Sequence, residues 1–421
     1  MAIHIVQNND SVWKIAQMYQ STTQKIVEYN GLLSASQIIP GLALYIPTAG
    51  PTKRGYIIKA GDTLYALARR YNTSVESIII ENPGINPYQL FVGQKIRIPS
   101  QYKMTIETLG FIVPYNIQAS MAQLNKTKDG LSYVAIVAYS FLESGWAYRI
   151  LEDSPIIARA KQLGIKPLLM IRNIVQEGFS AELAGVVLSN PLLRQRLVAS
   201  IVQLMEQAGY EGVSIDFEFI PPPQRYDFVL FLSDLKRAIR NRLLHVNVHA
   251  KTEDIPTNRI IGAYDYEAIG NVADIVAVMT MDYGYPGGPP DPVAPLWWME
   301  QVVQYSVSLI NPRKLQIAFP LYGYEWKLPE TITTSLSANA AQNRAISLGT
   351  IIQYDSIASA PHYRFYDGTN PHIVWFEDIR SFREKYRLVD EYSLLGVTFW
   401  QLAFDFPQNW VFLQREVIIR K

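Results

Sequence analysis

The 421-residue sequence contains no cysteine, which excludes a disulfide-stapled scaffold and any metal site built on thiolates. Net charge is nearly absent too: 38 Lys and Arg stand against 37 Asp and Glu. So close a balance implies no nucleic-acid partner and no attraction to an acidic membrane surface. No apolar run approaches the ~20 residues needed to cross a bilayer. The opening Met-Ala-Ile-His-Ile-Val lacks a basic region followed by an apolar core, so a soluble chain made without a secretory signal is expected. Also missing are a G-x-S-x-G nucleophile elbow and a glycine-rich phosphate loop behind any strand. The five histidines (His4, His245, His249, His362, His372) show no metal-type spacing beyond a possible His245/His249 pair, for which core or loop roles are expected. No metal and no cofactor are therefore expected. What the sequence does have is aromatic rings: 26 Tyr and 8 Trp suit stacking on flat apolar faces such as sugar rings.

The length exceeds one ordinary domain, and the first hundred residues hold a repeat. Asp10, Ala16, Tyr19, Ile26, Asn30, Gly41, Ile46 and Pro47 recur 52 positions later as Asp62, Ala68, Tyr71, Ile78, Asn82, Gly93, Ile98 and Pro99. Each copy reads as a short strand, a capped amphipathic helix, a second short helix ending at the Asn, and a closing strand. Thr48 to Arg54 reads as the linker between them. Both copies resemble LysM modules. The second opens Tyr56-Ile57-Ile58-Lys59-Ala60-Gly61-Asp62-Thr63-Leu64, close to the module's pattern; the first is looser, with Asn9 for Gly and Val12 for Leu. The resemblance implies binding to a polymer containing N-acetylglucosamine, such as peptidoglycan or chitin. Two weak sites on one chain gain avidity on a polymer.

From about Lys103 the pattern changes to strands alternating with helices. Apolar strand candidates are 109–115, 132–141, 166–171, 212–218, 244–250, 275–281, 315–322 and 395–401. Helical stretches lie between them at 119–126, 154–163, 191–208, 226–241, 258–269 and 296–309. Eight such units over roughly 300 residues predict an α/β fold, a (β/α)8 TIM barrel. The long gap before the last strand carries a small α+β insertion at about 335–368, after which 372–387 supplies a strand and the last helix. The expected division is residues 1–48, 54–100 and 103–421.

The most informative segment is Glu211-Gly212-Val213-Ser214-Ile215-Asp216-Phe217-Glu218. Val213, Ile215, Phe217 and Phe219 alternate with Ser214, Asp216 and Glu218, so one strand face is apolar and the other gathers a hydroxyl and two carboxylates. Residues two apart on a strand lie ~6.6 Å apart. Repulsion between the two acids in a poorly solvated site should raise one pKa, that of Glu218 being expected, and a protonated Glu can serve a leaving alcohol as general acid. Both acids stand on one side of any bound glycosidic bond. That fits substrate-assisted hydrolysis, in which the sugar's own 2-acetamido oxygen attacks.

This segment resembles the D-G-x-D-x-D-x-E strand of glycoside hydrolase family 18, the chitinase-like barrels, with Glu211 and Ser214 replacing the first two acids. Met279-Thr280-Met281-Asp282 resembles the family's M-x-Y-D, with Met281 in place of its Tyr, and Thr398-Phe399-Trp400-Gln401 resembles its Trp floor. The resemblance implies Glu218 and Asp216 as catalytic, and substrate contacts from Asp282, Trp400, Tyr322, Tyr283, Ser214 and Met279. Tyr283 or Tyr285 is expected to replace the missing Tyr. Two modules followed by a barrel, without a signal, resemble the spore peptidoglycan hydrolases of endospore-forming bacteria. That implies a retaining N-acetylglucosaminidase of spore cortex, located in the cortex or coat region. The alternatives are a chitinase and a non-catalytic glycan-binding barrel.

Overall fold

The computed structural model describes residues 2–48 and 50–421. Each half of the repeat forms two short helices beside a two-stranded antiparallel sheet. Ala2–Ile5 pairs with Ala43–Ile46 beside helices Val12–Met18 and Thr23–Tyr29. Thr52–Ile57 pairs with Lys95–Ser100 beside Leu64–Arg70 and Val75–Glu81. The four helices start at Ser11, Thr22, Thr63 and Ser74, whose hydroxyls accept a backbone N–H that the helix leaves unpaired. The repeated Asn ties each second helix to its closing strand. Asn30 donates to the carbonyls of Ile26 and Tyr45, and Asn82 to those of Ile78 and Arg97.

The connection between the modules is shorter than expected, because Thr52, Lys53 and Arg54 already pair with Ser100, Pro99 and Ile98. Asp390 holds that stretch extended, accepting Gly55 N–H at 2.9 Å and the Arg54 guanidinium at 2.6 and 2.8 Å. Ala49, inside the expected linker, lies outside the described residues.

The eight barrel strands are Met104–Ile112, Tyr133–Phe141, Lys166–Arg172, Gly212–Asp216, Leu243–His249, Ile275–Met279, Leu315–Pro320 and Gly396–Trp400. All pair in parallel, and the last closes on the first. Alternation divides their side chains. Val213, Ile215, Leu244, Val246, Val248, Val397 and Phe399 join the large core between strands and helices. Leu109, Phe111, Ala135, Val137, Leu168 and Met170 fill the interior of the barrel.

Several elements differ from expectation. The helix expected at 258–269 is Tyr266–Val272. Ahead of it, Asn258 Oδ1 accepts the N–H groups of Ile260 and Ile261, fixing a turn, and Asp265 then caps the helix. Helices Ala181–Ser189 and Pro407–Glu416 were not anticipated, and the latter rather than the 372–387 stretch is the last. The insertion is larger than 335–368. It is a five-stranded antiparallel sheet spanning 322–375, with helix Ala338–Leu348 packed on it. Its first strand, Tyr322–Lys327, starts where the seventh barrel strand was expected to end.

Candidate active site

The fourth barrel strand ends at Asp216, two residues sooner than its pattern suggests. Beyond it the ladder is continued by a side chain. Asn173, just past the third strand and fully buried, accepts Glu218 N–H and donates to Glu218 O, both at 2.8 Å. Tyr264 donates to the Phe217 carbonyl at 2.7 Å. The N–H and C=O of Glu218 are thus both satisfied without a neighbouring strand. Phe219 then turns into the left-handed region (φ 55°) and leaves the apolar face it was assigned to. Its ring instead contacts Phe179 and His249, with centroids at 6.4 and 5.5 Å.

Asp216 points into the barrel, 5% exposed, and its carboxyl accepts no hydrogen bond among the described residues. Desolvation first and the Glu218 charge second push its pKa well above the usual carboxylate range, opposed by Arg172. Asp216 carries this upward shift because it is so deeply enclosed. Glu218 Oε2 lies 3.3 Å from His249 Nε2. That nitrogen makes no hydrogen bond, so the contact is one of proximity.

Ser214 does not reach the cleft. It is fully buried one layer below Asp216, with Oγ 2.9 Å from His245 Nδ1 and 3.3 Å from Asn247 Nδ2. Burial pulls the His245 pKa down to about 3, so the layer under the acid pair is neutral. The substrate contact expected of Ser214 is therefore replaced by a supporting one.

Asp282 follows the sixth strand with φ 58°. The residue as a whole is open to solvent at the rim, but its carboxyl end is crowded, and burial raises its pKa. Two phenols oppose that shift: Tyr322 and Tyr324 donate to Oδ1 at 2.6 and 2.9 Å. Tyr322 is only 2% exposed. It does not line the open cleft as expected but holds Asp282 in place. Tyr283, expected as an alternative phenol, packs edge-on against Trp297 at 5.3 Å and near Trp298 at 5.5 Å. Met279 ends the sixth strand half-buried, and Trp400 ends the eighth with its ring 5.4 Å from Phe111.

The structure thus brings Asp216, Glu218, Asp282, Met279 and Trp400 to the C-terminal mouth of one barrel, where barrel enzymes keep their reactive groups. It adds Arg172, Asn173, His249 and Tyr324, which sequence reasoning passed over. The signal was available for two of them. Alternation on the third strand puts Arg172 in phase with Leu168 and Met170, and on the fifth puts His249 in phase with His245 and Asn247. Asn173 and Tyr324 carried no such signal, since each acts from outside a barrel strand. No cluster of three or more potential metal ligands occurs among the described residues.

Paired carboxyl groups inside a barrel mouth, with a tryptophan beside them, are the equipment of a glycoside hydrolase. The chain belongs to the glycosyl hydrolases family 18, whose model matches residues 177–405, and the LysM domain model matches residues 4–47 and 56–99. It is similar to the cortical fragment-lytic enzyme of Bacillus anthracis, 32% identical over 99% of this chain and 98% of that one. The crystal structure of the spore cortex-lytic enzyme of Bacillus cereus superposes with a TM-score of 0.88 at 31% identity, covering 100% of this chain and 98% of that one. An N-acetylmuramoyl-L-alanine amidase of Staphylococcus epidermidis is 36% identical over 101 residues, 23% of this chain and 31% of that one.

Proposed function

We propose that this glycoside hydrolase cleaves the bond following N-acetylglucosamine in spore cortex peptidoglycan, with retention, and that it acts at the spore. Glu218 donates a proton to the glycosidic oxygen while the substrate's acetamido oxygen attacks the anomeric carbon. Asp216 accepts the acetamido N–H and balances the positive oxazolinium that forms. Water then opens the ring, giving up its proton to Glu218 and restoring the acid.

One observation carries this reading: Asp216 is an enclosed carboxyl group that accepts no hydrogen bond from the described residues. A nearly enclosed acceptor that no protein group satisfies is open to a ligand that brings a donor, and an acetamide N–H is a donor of the right kind. Asp282 is a poor rival nucleophile, since two phenols already occupy its Oδ1. The cortex assignment rests on the two relatives named for lysis of cortex or its fragments, and on modules shared with a peptidoglycan amidase.

Mass spectrometry of purified cortex after digestion should find products ending in N-acetylglucosamine, and proton NMR should find the β-anomer formed first. Glu218→Gln should lower turnover by about 10³-fold while polymer pull-down persists. Equal degradation of glycan stripped of its N-acetyl groups would exclude the mechanism. A preference for chitin would reassign the substrate.

A further inference from the structure

Arg172 ends the third barrel strand directly beside Asp216, its Cα partner in the parallel ladder. Leu168 and Met170 occupy the barrel interior while Leu169 and Ile171 face the helices, so Arg172 shares the inward face. Its Nε is fully buried without a hydrogen-bond partner, and the guanidinium forms no hydrogen bond or ion pair among the described residues. The Phe179 ring supports it, 5.9 Å from the guanidinium carbon, and Phe179 in turn contacts Phe219 next to Glu218. Desolvation pulls the Arg172 pKa down, against the opposing effect of Asp216, Tyr115 and Glu218.

A structural arginine that only neutralised the acid pair would be expected to form an ion pair with it. Arg172 instead leans on an aromatic wall, within reach of the charge on Asp216 but outside ion-pair distance. Two groups at the cleft floor are therefore left incomplete by the protein: an acceptor at Asp216 and a planar donor at Arg172. Under the proposed mechanism the acetamido group completes the first. The second calls for an oxygen acceptor on the third-strand side of Asp216, and a guanidinium fork can hold a carbonyl oxygen through two N–H donors.

We propose that Arg172 is a substrate-binding residue that receives the lactyl carbonyl oxygen of a muramic acid residue, and that it separates muramic-acid-containing glycan from chitin. Chitin has hydroxyl and acetamido groups but no lactyl ether. The inference rests on the peptidoglycan reading and narrows it to one contact.

Binding tests it apart from turnover. Calorimetry with the Glu218→Gln protein would compare a tetrasaccharide of alternating N-acetylglucosamine and muramic acid, its lactyl groups amide-linked to L-alanine, with chitotetraose. Adding Arg172→Gln should weaken the muramyl ligand about 10- to 100-fold and chitotetraose less than about twofold. Arg172→Lys should fall between, since it keeps the charge but loses the fork. Equal weakening of both ligands would place Arg172 behind the acid pair and overturn the proposal. So would no weakening of either, or no binding of the muramyl ligand. Wild-type turnover is measured separately: its absence on every glycan would remove the proposed activity, while the affinity ratio would still decide the role of Arg172.

Discussion

Asp216 and His245 show how single residues at this site trade stability against function. An enclosed carboxyl group with a raised pKa binds protons more readily folded than unfolded, so above its unfolded value it detracts from stability. Asp216→Asn should therefore raise stability by about 1–2 kcal/mol at neutral pH, read by thermal melting, while kcat falls about 10²-fold or more. A drop in both would mean that Asp216 is mainly structural. His245 behaves in the opposite sense. Its folded pKa of about 3 lies below the unfolded value near 6.5, so the unfolded chain takes up a proton first as pH falls. The stability it contributes is present above pH 6.5 and is lost downward toward pH 3, by about 1.4 kcal/mol per pH unit. His245→Gln, which can still bond Ser214, should flatten denaturant-derived stability over that window; an unchanged slope would assign the acid limb to other groups.

At the scale of elements, the site depends on backbone that no ladder supports. Asn173 replaces the missing strand partner on both sides of Glu218. Asn173→Ala should cost about 1–3 kcal/mol for the three orphaned backbone groups, Ser180 O among them, and about 10²-fold in kcat, because a small misplacement of the acid is enough. Rescue by Asn173→Asp is not expected, since a carboxylate cannot donate to Glu218 O. The barrel itself was legible because short apolar runs such as 133–139, 167–171 and 275–279 recur between helical stretches, and the acid strand carried its chemistry on one face. Strand ends were less legible. Phe219 continues the alternation in sequence but not in space, since a left-handed backbone can fall at any residue of a turn. The insertion was read too small because its first strand, Tyr322–Lys327, follows the seventh barrel strand with a single residue between them. Hence Tyr324 went unnoticed although it grips Asp282.

At the scale of the whole molecule, the two modules are not used alike, and duplication for avidity alone does not account for how they sit. The first shares a core with the insertion: Ile39, Leu42 and Leu44 lie in one cluster with Ala345, Ile352 and Phe376. Its loop between second helix and closing strand is tied to the insertion at both ends, with Gln37 donating to Ile346 O at 2.9 Å and Asn343 to Gly31 O at 2.8 Å, although residues 33–37 stay exposed. At Gly41 a Cβ would stand 1.9 Å from Ile352 O. The second module keeps its own core and meets the barrel through charge, Arg54 on Asp390, Lys95 on Glu300 and Glu391. Its corresponding loop is open: Phe91 is 60% exposed where its counterpart Ile39 is 5%, and Tyr88 is 96% exposed. Deleting residues 54–100 should therefore leave a soluble barrel that loses retention on insoluble glycan, whereas deleting 1–48 should bare apolar surface and lower the melting temperature by several degrees or cause aggregation. Tyr88→Ala with Phe91→Ala should reproduce the loss of retention without touching the fold. If the double variant is retained like the wild type in pull-downs, the open loop is not what holds the polymer. Comparable retention by both truncations would return the modules to equal standing.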